Sequence, residues 1–231
     1  MQIQPTIQHN QPVLKITNGE KVTAKAKLVK LYTKSFSPWK LLCKRIIDII
    51  GAVSLFVFLS PLLLFIALRT LLHSKGGIIY SQERIGLKGR PFTIYKFRSM
   101  IANAEKNGPA LSSLNDERIT SWGRFMRKWK LDELPQLWNI LIGDMSFVGP
   151  RPERKIYIDQ LIDINPSYAY LLNRKPGLTS LGMIEFGYAA TLSEMTARME
   201  YDLKYIENPS LRKDFQIICK TLLLILWGKG K

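Results

Sequence analysis

The segment from Ile49 to Leu68 constrains this chain most, because it contains twenty consecutive residues without a charge. A helix of about 20 apolar residues is long enough to cross the roughly 30 Å hydrocarbon layer of a bilayer. Ser60-Pro61 interrupts the segment in its middle, and proline removes a backbone donor and bends a helix. The pattern therefore predicts a helix that is broken at Ser60-Pro61.

Basic residues flank this segment on both sides, with Lys44 and Arg45 before it and Arg69 after it. A spanning helix usually has its positive excess on one side. A helix that enters the membrane, breaks and returns would keep both of its ends in the cytoplasm. We therefore predict a re-entrant hairpin over residues 39–75, with a spanning helix and a buried core helix as alternatives.

The overall charge indicates an anionic partner. The chain has 34 Lys and Arg against 18 Asp and Glu, a net charge of +16. Nucleic acid, phosphorylated metabolites and anionic lipid headgroups all fit this charge. Two cysteines and two histidines are too few for a disulfide framework or a His-rich metal centre.

The first 38 residues are polar, without a sustained apolar period. Residues 1–45 contain nine Lys and Arg against one acid, Glu20. This composition predicts a mobile basic tail over residues 1–38. The tail could also rest on anionic lipid, since each basic side chain near such a surface contributes about 1 kcal/mol.

The remaining residues, 76–231, are predicted to form one mainly α-helical domain with a small β-hairpin. Residues 77–100 contain two stretches of β-formers around Gly86-Leu87-Lys88-Gly89, and this hairpin carries Arg84, Lys96 and Arg98. A short helix with a loop is expected within 101–117. The further helices are predicted over 122–130, 134–142, 153–173, 193–207 and 214–227. The last of them is nearly apolar all round, which is typical of a core helix or of one in a membrane interface.

Asp132 and Glu133 are the strongest candidates for chemistry. They precede Pro135, which is tolerated only in a first helical turn, so a helix should begin near Asp132. An aspartate in that place is often only a helix cap. Arg127 comes before the pair, and Arg151 is held between Pro150 and Pro152. Arginine has the planar fork that matches phosphate oxygens, so the alternative to a cap is a phosphoryl-transfer site.

A carboxylate that faces a phosphoryl group needs its charge neutralised. Mg²⁺ does this with one or two carboxylates and phosphate oxygens, and needs no His or Cys. Asp132 and Glu133 are therefore the predicted metal ligands. One of the two could attack while the other takes a proton or helps to hold the cation. Asp144 is either a third acidic group or a turn residue.

Four motifs in order resemble the bacterial sugar transferases, the monotopic phosphoglycosyl transferases. The motifs are LCKRIIDIIGAVSLFVFLSP, YSQERIGLKGRPFTIYKFRSM, LDELPQLWNILIGDMSFVGPRP and KPGLTS. Together they cover about residues 39–231. The resemblance implies transfer of a sugar-1-phosphate from a UDP-sugar to undecaprenyl phosphate, with release of UMP and a need for Mg²⁺. It places such a protein at the cytoplasmic face of the bacterial inner membrane, at the start of exopolysaccharide, O-antigen or glycan assembly.

The resemblance also implies roles for individual residues. Asp132 falls on the family's covalent nucleophile, Glu133 on its acidic partner, and Arg127 and Arg151 on its phosphate-binding arginines. The re-entrant membrane helix of the family falls on Lys44, Arg45, Ser60 and Pro61. The larger members carry further transmembrane helices, so this chain resembles the compact form. An interfacial helix would permit a homodimer.

One stretch departs from the family pattern. Many relatives continue after KPGLTS with a Gly-Arg-Asn that supplies another active-site arginine. Here the chain reads LGMIEFGYAA, with no arginine between Lys175 and Arg198 and with Tyr188 near that place. The departure leaves open a non-catalytic scaffold with the same fold. A basic nucleic-acid-binding protein tethered to a membrane is a further alternative, supported by charge alone.

Overall fold

The computed structural model describes residues 36–74, 76–106, 108, 111 and 116–228. The predicted basic tail, except for its last three positions, lies outside the described residues. The helices are α1 (Pro38–Phe58), α2 (Ser60–His73), α3 (Ser121–Lys128), α4 (Gln136–Ile142), α5 (Lys155–Ile164), α6 (Leu181–Glu185), α7 (Leu192–Glu207) and α8 (Leu211–Leu226). The strands are β1 (Ile79–Ile85), β2 (Pro91–Phe97), β3 (Ser146–Val148) and β4 (Gly177–Thr179). The predicted mainly helical fold with a small hairpin is confirmed.

The hydrophobic segment is broken where the sequence predicts. Helices α1 and α2 meet at Leu59 with a bend of 65°. Pro61 begins the second helix, and the Ser60 hydroxyl donates a hydrogen bond to the carbonyl of Val57 at 2.8 Å. Among the described residues, no single helix has the length and apolarity for a membrane span, while α1 and α2 taken together reach both. The choice between a re-entrant and a spanning path stays a prediction.

Helix α1 docks on the rest of the protein through one face, which contains the buried side chains of Asp48 and Ala52. Asp48 is buried, and its Oδ1 accepts hydrogen bonds from the Ser146 hydroxyl at 3.1 Å and from the Phe147 amide at 3.0 Å. The opposite surface is apolar and exposed, with Phe58 at 81% and Leu72 of α2 at 80%. A core helix would bury such side chains, so the core-helix alternative is wrong.

The hairpin forms in the expected place. Strands β1 and β2 pair antiparallel from Ile79 opposite Phe97 to Ile85 opposite Pro91. The turn needs a left-handed backbone at Lys88 and Gly89, which glycine adopts without strain. The pairing sets Tyr80 opposite Lys96, which fixes the place of Lys96 on the hairpin.

The main core lies between α5, α7 and the 3₁₀ segment Pro166–Asn173. Leu161, Tyr168, Met195 and Ile206 are almost completely buried there. Helix α7 begins with a capping box, in which the Thr191 and Glu194 side chains exchange hydrogen bonds with backbone amides. This cap fixes the start of α7.

Several predicted elements need correction. Helix α4 begins at Gln136 rather than near Asp132, because the chain first makes a 3₁₀ turn over Leu131–Glu133. The predicted helix over 153–173 is divided, since Pro166 cannot continue α5. The described part of 101–117 contains turns and no helix. The parallel pair β3–β4 has no alternating pattern long enough to predict it.

Candidate active site

A cavity of about 800 Å³ lies between the hairpin, the Leu131–Glu133 turn, the Pro150–Pro152 loop and the start of α7. It is lined by all seven side chains that the sequence predicts for catalysis and phosphate binding. These are Arg84, Lys96, Arg98, Arg127, Asp132, Glu133 and Arg151. The structure thus brings together residues that lie up to 67 positions apart in the chain.

Asp132 and Glu133 lie in the 3₁₀ turn and are both buried. Successive residues of a 3₁₀ helix point about 120° apart, so the two carboxylates face different neighbours. Lys130, just before the turn, has a left-handed backbone with φ 56°, which is uncommon for a residue with a side chain. This change of direction separates the turn from α3.

Glu133 is surrounded by cations. Its Oε1 accepts hydrogen bonds from Lys96 Nζ at 2.8 Å and from Arg151 Nη2 at 3.0 Å, while Lys130 Nζ lies 3.7 Å from Oε2. Burial by itself would raise the pKa of Glu133. The charges of Lys130, Lys96 and Arg151 outweigh burial and hold this pKa well below its usual range. Glu133 is therefore a buried carboxylate whose ionised form is favoured by three basic side chains that surround it.

Asp132 has different surroundings. Within the described part of the chain, no basic side chain forms an ion pair with it and no donor hydrogen-bonds to it. Burial, together with the neighbouring charge of Glu133, raises the pKa of Asp132, and Lys96, Arg127 and Lys130 oppose this only in part. Its carboxylate therefore lines the cavity without a direct partner among the described residues.

Arg127 reaches the cavity from α3. Its Nε donates a hydrogen bond to the Ser99 hydroxyl at 2.9 Å. Helix α3 comes this close because Gly123 packs on the Ser99 backbone, where a Cβ would lie 1.9 Å from the carbonyl oxygen. Glycine at 123 is thus required for the position of Arg127.

Two other predicted arginines are tied to the scaffold. Arg84 Nη1 donates to Glu153 Oε2 at 3.1 Å, and Arg198 Nη2 donates to the other oxygen of Glu153 at 2.6 Å. Arg98 donates to the carbonyls of Gly77 and Ile79 at the start of the hairpin. Both arginines line the cavity, but the contacts seen for them are with the protein itself. Phosphate binding by Arg84 and Arg98 therefore stays a prediction.

The four predicted membrane or polyprenol residues lie apart from the cavity. Lys44 pairs with Asp214 of α8 at 2.6 Å, and Arg45 donates to the carbonyls of Ile140 and Leu141 at the end of α4. The first two residues thus fasten α1 to the domain. Ser60 and Pro61 form the bend described above. Polyprenol contact by any of the four stays a prediction.

Lys130 has no role predicted from sequence, and Tyr188 is expected only to lie near the departure from the family pattern. The structure brings them together. Lys130 Nζ donates to the Tyr188 hydroxyl at 2.5 Å and lies 4.2 Å from its ring centroid. Burial lowers the pKa of Lys130, with the charge of Glu133 acting against it. Two sequence features could have indicated this contact, namely the lysine before the Leu-Asp-Glu run and the absence of an arginine in 176–197.

The charge balance of this cluster favours an anionic ligand. Lys96, Arg127, Lys130 and Arg151 are positive, while Asp132 and Glu133 are the acidic members. With all of them ionised, the cluster has two more positive than negative charges. An excess of buried positive charge is costly unless a counter-charge is bound, so the cavity fits a phosphate or diphosphate group.

Comparison with known proteins identifies the family. The model of the bacterial sugar transferase family matches residues 39–228 of this chain. The chain belongs to this family. Among similar proteins is a UDP-N-acetylgalactosamine-undecaprenyl-phosphate N-acetylgalactosaminephosphotransferase of Aeromonas hydrophila, which is 38% identical over 217 residues, covering 92% of this chain and 51% of the relative.

Two further relatives are named as UDP-glucose:undecaprenyl-phosphate glucose-1-phosphate transferases. The protein of Klebsiella pneumoniae is 38% identical over 197 residues, or 84% of this chain and 42% of its own. The protein of Caulobacter vibrioides is 38% identical over 185 residues, or 79% and 69%. The chain thus spans about half or less of the length of the first two relatives.

The acidic residues of the cavity fit Mg²⁺ at Asp132 better than at both carboxylates. Mg²⁺ binds through one or two carboxylates and substrate phosphates. Asp132 has no ion pair among the described residues, whereas both oxygens of Glu133 face basic groups. No cluster of three or more His, Cys, Asp or Glu side chains suited to a metal occurs in the described ranges. A metal here would therefore depend on substrate phosphates for its other ligands.

Proposed function

We propose that this protein transfers a sugar-1-phosphate from a UDP-sugar to undecaprenyl phosphate and releases UMP. The observation that carries the proposal is the contrast between the two carboxylates. Asp132 lines the cavity without an ion pair among the described residues, and Glu133 beside it holds three cations. The names of the relatives, which include both substrates, support this assignment.

The first step is a displacement at the phosphorus that bears the sugar. An oxygen of Asp132 forms a bond to this phosphorus, the bond to the bridging oxygen breaks, and UMP leaves with that oxygen. The sugar-1-phosphate is then esterified to Asp132. A phosphate oxygen of undecaprenyl phosphate attacks the same phosphorus, which releases the Asp132 carboxylate and forms the undecaprenyl diphosphate sugar.

The basic residues would stabilise the charge that passes through both steps. Lys96 and Arg151 each give one donor to Glu133, and an ammonium has three donors while a guanidinium has five. The remaining donors would bind phosphate oxygens, with Arg127 on the Asp132 side. Phosphoryl transfer depends mainly on such positioning and charge stabilisation.

Mg²⁺ is part of the proposal, with Asp132 as its protein ligand. The ion would neutralise phosphate charge when bound. Chelation with EDTA should abolish UMP release, and added Mg²⁺ should restore it. Full activity in EDTA would show that the reaction does not need a metal, and would not affect the proposed role of Asp132 as the nucleophile.

We also propose a place for the protein at the membrane. The exposed apolar side chains of α1 and α2, with Phe215 and Trp227 at 68% and 67% exposed in and after α8, form a surface suited to lipid. Undecaprenyl phosphate is itself a membrane lipid. We propose the cytoplasmic leaflet of the bacterial inner membrane, with α1–α2 re-entrant and the cavity in the cytoplasm.

The test is UMP release by detergent-solubilised protein with undecaprenyl phosphate, Mg²⁺ and a panel of UDP-sugars. The relatives differ in their named sugars, so the panel must include UDP-glucose, UDP-galactose and UDP-N-acetylgalactosamine. Asp132→Asn should be inactive. Asp159→Asn, which changes an exposed carboxylate paired with Lys155, is the matched control and should retain activity. Wild-type protein that is silent across the panel would contradict the proposal.

A further inference from the structure

Tyr188 lies on a segment that is fixed at both ends. Helix α6 ends at Glu185, and Gly187 turns the chain with φ +94°. The capping box of Thr191 then begins α7. Because the connection is short and its ends are anchored, the ring of Tyr188 is held in one place on the cavity wall.

Lys130, which directly precedes the Leu131–Glu133 turn, contacts the ring of Tyr188. Its left-handed backbone is a conformation that a residue with a side chain adopts only when its surroundings require it. The ammonium group donates to the Tyr188 hydroxyl at 2.5 Å and lies 4.2 Å from the ring centroid. Two unusual backbone positions, Lys130 and Gly187, thus bring these side chains together.

The same ring also supports Arg151. The Arg151 guanidinium carbon lies 5.7 Å from the Tyr188 ring centroid, within the range of a cation–π contact. Arg151 binds Oε1 of Glu133, and Lys130 lies nearest to Oε2. Tyr188 therefore contacts two cations that hold the two different oxygens of one buried carboxylate. The ring attracts both cations, and this attraction opposes the repulsion between them.

We propose that Tyr188 and Lys130 act as a positioning pair, in which the Tyr188 ring and hydroxyl hold Lys130 and Arg151 in place around Glu133 during the transfer. The inference rests on the proposed function. The stretch between Lys175 and Arg198 contains no arginine, and Lys130 is a cation that contacts the hydroxyl and the ring of its Tyr188. The reacting group remains Asp132, and the pair acts through Arg151 and Glu133.

The test separates kcat from KM. Tyr188→Phe removes the acceptor of Lys130 and keeps the ring, and Lys130→Met removes the charge. Each should lower kcat about tenfold and change the KM for the UDP-sugar less than about threefold. Loss of the Lys130–Tyr188 contact shifts Lys130 and, through Glu133, Arg151, and such small displacements affect the transition state more than ground-state binding. Lys130→Arg keeps the charge and a donor, and should recover part of the lost kcat.

A double variant tests whether the two residues work as a unit. The protein with both Tyr188→Phe and Lys130→Met should be about as slow as the slower single variant, because the second change removes a contact that is already lost. Tyr201→Phe is the matched control. Tyr201 has a similar contact with Lys204 on α7, at 5.0 Å from the ring centroid, and should keep wild-type kinetics.

Each outcome decides one claim. Thermal unfolding of every variant, in the detergent used for the assay, shows whether the protein is folded. Lys130→Gln, which also removes the charge, replaces Lys130→Met if that variant is unfolded. If wild-type protein is active and Tyr188→Phe keeps its kcat, or changes KM alone, the positioning pair is wrong while the proposed function stands. Multiplicative losses in the double variant also overturn it. A silent wild-type protein contradicts the proposed function itself.

Discussion

Lys96 Nζ on strand β2 lies 2.8 Å from Oε1 of Glu133, and this contact joins the hairpin to the turn that carries both carboxylates. The same oxygen also accepts from Arg151 of the Pro-Arg-Pro loop. Glu133 is therefore the point at which three separate parts of the chain meet. Asp132, next to it in sequence, has no comparable contact among the described residues. This difference leads to opposite predictions for the two carboxylates.

Glu133→Gln should destabilise the protein, while Asp132→Asn should not. The first change leaves buried cations without their carboxylate, which typically costs about 3–5 kcal/mol. The second removes a buried charge that has no ion pair with any residue the structure describes, so we expect a change of less than about 1 kcal/mol or a small gain in stability. Thermal unfolding in detergent checks both. Equal losses of stability in the two variants would contradict the assigned roles.

Gly123→Ala should disrupt the site through packing alone. A Cβ at this position would lie 1.9 Å from the Ser99 carbonyl oxygen, so α3 must move away from the strand end that receives Arg127. We expect a loss of at least about 2 kcal/mol in stability, as for other overpacked positions, and a large loss of turnover. Ser121→Ala, at an exposed position in the first turn of the same helix, is the control and should be close to wild type.

Tyr205 predicts how stability depends on alkaline pH. Burial first, and then the charge of Asp214, raise the pKa of Tyr205 above its ordinary value of 10.0. The folded protein therefore keeps this proton at a pH where the unfolded chain releases it, so the stabilising contribution is present below about pH 10 and is lost as the pH rises further.

The comparison with Tyr205→Phe isolates this group. The variant loses the 2.6 Å hydrogen bond to Asp214, at a cost of about 1–3 kcal/mol near neutral pH. Its stability should then fall less steeply than that of the wild type between pH 10 and 11. Parallel slopes in urea unfolding would show that Tyr205 does not contribute in this way.

The path of the bent helices can be tested from outside the cell. In a background without Cys43 and Cys219, single cysteines at Trp39 and at His73 lie at the start of α1 and at the end of α2. A re-entrant hairpin predicts that neither position reacts with an impermeant maleimide in intact spheroplasts and that both react after permeabilisation. Labelling of one position in intact spheroplasts would show a spanning helix.

Much of the fold was predictable because its causes are local. Pro61 bends the apolar segment whatever lies around it, and the β-formers on either side of Gly86–Gly89 favour a hairpin. The break at Pro166 has an equally local cause, but the prediction of one helix over 153–173 was wrong because apolar residues continue on both sides of this proline. The start of α4 was misplaced because Pro135 allows a helix to begin nearby without specifying the turn before it.

The sequence predicted which side chains line the candidate site, but it did not predict the contacts between them. Asp132, Glu133 and Arg151 are distinguished in the sequence by their type and by nearby prolines, and Arg127 by its type and its place before the acidic pair. That Lys96 and Arg151 share one oxygen of Glu133, or that Tyr188 lies against Lys130, depends on packing between residues up to 58 positions apart. The contacts of Lys44 and Arg45 could not be predicted from sequence for the same reason, because their partners lie far along the chain, in α8 and α4.

The most direct test of the central claim is mass spectrometry of the protein after rapid mixing with its UDP-sugar in the absence of acceptor. We predict release of about one UMP per protein and a sugar-phosphate adduct on the peptide that contains Asp132, lost when undecaprenyl phosphate is added. Asp132→Asn should show neither the burst nor the adduct. Release of UMP with the adduct on another residue, or turnover by Asp132→Asn, would contradict the assignment of Asp132 as the nucleophile.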